Sequence, residues 1–155
     1  MPLQPLGPLA GSDRGGQLDS IASRAAIAGE AAALATKRRA PYLLDSVGTD
    51  VKKITSTALA DAIDRGDKDV EELVRNRAQI LGIILSNMVD FLNPEMIVLG
   101  GGLVDAMPDI ITQEVAAGIK LHATPEAQEA LQIVASNLRS HSVTTGAAKL
   151  AVDSL

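Results

Sequence analysis

Three consecutive glycines, Gly100, Gly101 and Gly102, follow directly on the apolar, β-branched run Met96-Ile97-Val98-Leu99. A strand that ends in glycines lets the backbone approach a flat or anionic ligand, because no Cβ stands in the way. The helix expected after it would offer free amides to a phosphate. The same run also serves a plain strand-to-helix turn, and spacing alone does not separate the two. A second place for chemistry is Asp19-Ser20. Their oxygens can cap a helix start, or Asp19 can present a carboxylate to the hydroxyls of a ligand.

The remaining inventory excludes more than it offers. There is no cysteine, so disulfides, thiolate zinc sites and Cys nucleophiles are ruled out. His122 and His141 are far apart and each reads as a helix-end or solvent-facing residue; no hydrolase triad is expected. Lys37-Arg38-Arg39 reads as a solvated helix end. Lys plus Arg total 14 against 19 Asp plus Glu, a net charge of -5, which argues against a nucleic-acid partner. One Tyr, one Phe and no Trp leave no set of platforms for stacking bases or sugars.

A chain of 155 residues with 46% apolar and 21% charged side chains makes about one globular domain. No apolar run reaches the ~20 residues a membrane span needs; Ile80 to Leu92 is interrupted by Ser86, Asn87 and Asp90. The N-terminus has neither a basic n-region nor an apolar h-region. The expectation is a cytoplasmic protein that does not engage a membrane.

The elements that would position these residues follow from periodicity and punctuation. Residues 1–16, rich in Pro and Gly, read as an irregular arm, with one lobe over 17–155. Leu18, Ile21, Ala22, Ala25, Ala28, Ala32 and Ala35 mark an amphipathic helix with a small-residue face. Pro41 is expected to stop it and Tyr42 to Gly48 to form a loop. Asp50 is expected to cap a second helix carrying Val51, Ile54, Ala58 and Ala62, closed by Gly66. Asp67 then opens a long helix over Lys68 to Leu92, its apolar second half centrally buried, broken by Asn93-Pro94. Met96 to Leu99 reads as a buried parallel strand. A helix with Met107, Ile110, Ile111, Val115 and Ile119 in step, a strand at Leu131 to Ala135 and a helix over Ser142 to Ala151 complete the order. The fold class is α/β, predominantly helical, with a small parallel sheet packed by helices.

Three stretches together resemble the ROK family of bacterial sugar kinases and sugar-responsive repressors. They are GPLAGSDRGGQLDSIASRAAIA from Gly7, LGIILSNMVDFLNPEMIVLGGG ending at Gly102, and Thr145-Gly146-Ala147-Ala148. The resemblance implies the C-terminal lobe of an actin-like ATPase (ribonuclease H-like) fold. It implies that Gly100, Gly101 and Gly102 form the adenosine-side wall of an ATP cleft, with Mg²⁺ serving the intact fold. It places Asp19 where the family has a sugar-contacting Glu, one methylene longer. Ala10, Ser12 and Gln17 stand where the family has cysteine ligands, so no zinc is expected.

The resemblance also implies upstream parts that the chain does not contain: a phosphate-binding Asp-x-Gly loop, a catalytic Asp, and a repressor's helix-turn-helix. The chain is therefore expected to be the C-terminal half of such a protein, carrying no catalytic residue of its own and inactive alone. It is expected to form a homodimer, because a lobe without its neighbour exposes apolar faces. Two functions compete: the nucleotide and dimerisation lobe of a hexose kinase, or a non-catalytic regulatory module or repressor effector lobe.

Overall fold

The structure is a computed structural model that describes residues 23–137, 145 and 149–152. The stretches read as an N-terminal arm and as Asp19-Ser20 lie outside these residues, as does most of the last expected helix, of which Thr145 and residues 149–152 are helical. Helix α1 spans Arg24–Thr36. Ser23 caps it, its hydroxyl accepting from the Ala26 amide at 3.2 Å. The small-residue face is present but rotated from expectation: Ile27, Ala28, Ala31, Ala32 and Ala35 are buried, while Ala25 is exposed.

Pro41 does not stop this helix. The helix ends at Thr36, where Arg38 turns the chain with φ 58, and Pro41 begins a new helix, α2 (Pro41–Val47), in what was expected to be loop. Proline suits a first helical position because its missing N–H would have no intrahelical acceptor there. Asp50 does not cap the next helix either. It accepts from the Lys52 amide in a local turn, and α3 spans Ser56–Arg65 with Thr55 as its cap, accepting from the Ala58 amide at 3.1 Å. Val51 and Ile54 lie outside the helix, although Ile54 is fully buried.

Helix α4 spans Lys68–Leu92, as its flanking residues indicate, and Asn93 ends it in the left-handed region that Asn tolerates. Asp67 stands at its start but does not cap it. The Asp67 carboxylate is 2% exposed and accepts instead from the amides of Tyr42 and Leu43, at 3.2 and 2.8 Å. It thus caps α2 from across the fold. Strand β1 (Met96–Leu99) is followed by the short α5 (Gly102–Ala106), then α6 (Pro108–His122), α7 (Pro125–Gln128) and β2 (Gln132–Ala135). Met107, expected within one helix, is instead the buried joint between α5 and α6.

Strands β1 and β2 pair in parallel, Met96 opposite Gln132 through Leu99 opposite Ala135. Helices α4 and α6 form the most extensive contact in the fold. They cross through two glycines: a Cβ on Gly82 would lie 3.0 Å from Gly118 Cα, and one on Gly118 would lie 2.9 Å from Gly82 Cα. The core is aliphatic, with Ile27, Leu43, Ile54, Leu59, Val74, Val89, Val115 and Ile119 at its centre. Two burial expectations are corrected. The second half of α4 buries Gly82, Ser86 and Val89 but exposes Met88, Phe91 and Leu92, and β1 exposes Met96 and Val98. A parallel strand is normally covered on both faces; here, among the described residues, helices pack on one face of β1 and Met96 and Val98 stay exposed on the other.

Candidate functional site

Each of the three glycines has a different local role. Gly101 has φ 112 and ψ 169, a backbone region that L side chains avoid. Gly102 starts α5 under α3, and a Cβ there would meet the Ser56 hydroxyl at 3.2 Å. Gly100 is less constrained, since its Cβ would make an ordinary 3.6 Å contact with Ser136. A hydrogen bond from the Ser136 amide to the Leu99 carbonyl, 2.7 Å, ties the end of β2 to this turn.

The packing of α3 against α5 opens a cleft of about 520 Å³ beside Gly102. Thr55, Ser56 and Thr57 form the wall from α3, and Gly102 and Asp105 form the wall from α5. Arg24, at the start of α1, and Lys52 add two cations. The cleft can therefore combine close backbone approach with positive charge, which suits an anionic ligand. Sequence reasoning found Gly102 but missed its partners. Thr55, Ser56, Lys52 and Arg24 are brought together by helix packing, and no local spacing marks them.

Two other concavities are already charge-balanced. In the groove of about 440 Å³ between α1 and α4, Arg39 pairs with Asp69 at 2.5 Å and Glu30 with Arg77. The hydrogen bond from Arg39 to Asp69 raises the Arg39 pKa further. The second, flanking α4 and α6, holds a chain of ion pairs in which Glu71 takes Lys68 at 3.1 Å and Arg75 at 2.9 Å, and Arg75 reaches Glu114 at 2.8 Å. The hydrogen bonds from Lys68 and Arg75 hold the Glu71 carboxyl below its ordinary value.

Of the other residues read from the sequence, His122 is the exposed last residue of α6 and Lys37 is the C-cap of α1. Asp19, Ala10, Ser12, Gln17 and His141 lie outside the described residues, as does Gly146. Among the described residues no group of three or more His, Asp or Glu side chains is placed to hold a metal. No described helix is long and apolar enough to cross a membrane.

The sequence profile of the ROK family matches residues 1–154. The chain belongs to the ROK family. No curated protein sequence matches this ROK chain significantly. Among solved structures it is similar to a ROK-family glucokinase from Streptomyces griseus in complex with glucose and AMPPNP, with TM-score 0.74, 23% identity, and coverage of 88% of this chain and 45% of that one. It is similar to a protein assigned as a sugar kinase from Cytophaga hutchinsonii, with TM-score 0.71, 22% identity, and coverage of 91% and 46%. A ROK-family transcriptional regulator, a homologue of the E. coli MLC protein, matches with TM-score 0.64, 19% identity, and coverage of 87% and 33%. The chain thus spans a third to a half of the length of these structures. It shares the fold of the part of those ROK structures that it matches, mostly helical with a small parallel sheet.

Proposed function

We propose that this ROK chain is the C-terminal, nucleotide-binding lobe of a sugar kinase of glucokinase type. The observation that carries the reading is the cleft at Gly102, where the turn from β1 meets the start of α3 between two cations. A kinase relative crystallised with glucose and a nucleotide analogue supports it. In this reading Gly100, Gly101 and Gly102 bear the adenosine side of ATP, and Asp19 contacts a sugar hydroxyl. The residues present fit a nucleoside phosphate, since backbone, hydroxyls and cations converge there. Mg²⁺, bound through the phosphates, would neutralise charge during transfer.

Alone, the chain does not phosphorylate a sugar in this reading. It spans 45% and 46% of the two kinase chains, and Asp105 is the one carboxylate among the described residues lining the cleft. Losing an oriented general base typically removes 10²–10⁴-fold in rate, and half a cleft also loses the positioning of two substrates. The similarity to a transcriptional regulator favours a second reading, an effector lobe without catalysis. Two measurements test the proposal. Calorimetry should show weak ATP binding that Gly101→Val abolishes, because one wall buries less ligand than a complete pocket. A coupled ADP-release assay over a hexose panel should show no turnover by the chain alone. Turnover near ~1 s⁻¹, within the usual enzyme range, that Asp19→Asn abolishes would reject the claim of inactivity. Tight ATP binding indifferent to Gly101→Val would move the site elsewhere.

A further inference from the structure

We draw no further inference here: the strongest candidate, the buried Arg77 Nε between α1 and α4, unpaired among the described residues, carries nothing because the guanidinium already pairs with Glu30 and does not line the groove beside it, so nothing in the structure points to a ligand there.

Discussion

Replacing Gly82 by alanine should destabilise the fold even though alanine is the better helix former. The added methyl would lie 3.0 Å from Gly118 Cα and closer still to the Val115 carbonyl oxygen. These obstacles are backbone, so no rotamer change relieves them. To lift the tightest contact, 2.2 Å to the Val115 carbonyl oxygen, to the 3.4 Å at which ordinary contact begins, α4 and α6 must part by about 1 Å, and a gap of that size forfeits about half of the dispersion energy at each contact it opens. Overpacking of this kind costs about 1–3 kcal/mol, and a backbone obstacle belongs at the upper end. Relief of the glycine's helix penalty returns about 1 kcal/mol. The net expectation is a loss of about 2 kcal/mol, which shifts the urea midpoint by about 1 M at a typical slope. Gly118→Ala should behave alike. The double variant should cost less than the sum, because the first methyl has already opened the gap that the second needs. Urea unfolding followed by circular dichroism measures all three. A Gly82→Ala protein as stable as the parent, or strictly additive costs, would refute the tight crossing.

Asp67→Ala leaves the Tyr42 and Leu43 amides without their acceptor and should cost about 2–3 kcal/mol, since bonds to a buried charge exceed an ordinary cap; a loss under about 0.5 kcal/mol in urea unfolding would show that α2 does not depend on this carboxylate. Glu71 is held below its ordinary value near 4.5 by Lys68 and Arg75, so its contribution is present above that pH and is lost as pH falls through the lower folded value. Melting temperatures between about pH 6 and 3 should therefore fall more steeply for the parent than for Glu71→Gln, and parallel curves would contradict the pairing. Met88, Phe91 and Leu92 lie one helical turn apart on α4 and are exposed, Phe91 by 87%, so light scattering at micromolar concentration should give a dimer that Phe91→Asp dissociates. A monomer mass for the unsubstituted chain would reject that expectation.

The parts of the fold legible in the sequence are those with strong local punctuation. Helix α4 is bounded by Asp67 and Asn93-Pro94, and β1 by Pro94 and Gly100, so both were readable to the residue. Helix α2 was not, because seven residues carry too little periodicity and their cap comes from Asp67, 24 and 25 positions away. The start of α3 was misplaced because Asp50 and Thr55 are both good caps, each followed by apolar residues at helical steps. The exposed faces of α4 and β1 were misread because composition registers hydrophobicity, not what lies alongside. At the site, the glycine run was visible as a motif, while Ser56, Lys52 and Arg24 become neighbours of Gly102 only once α1, α3 and α5 have packed.

The cap that Asp67 lends to α2 has a consequence for how this part of the fold opens. A seven-residue helix has no independent stability in water, so α2 holds its amides only while the start of α4 is in place. The two are separated by α3 in the chain but joined through one carboxylate. Fraying of the first turn of α4 would withdraw that carboxylate, and the hydrogen-exchange protection of Leu43 would be lost with it. Helix α2 and the first turn of α4 are therefore expected to open together, which native-state hydrogen exchange would read as a common opening free energy. Because α3 joins the two in the chain, the cleft wall at Ser56 is tethered through Gly66 to the carboxylate that holds α2.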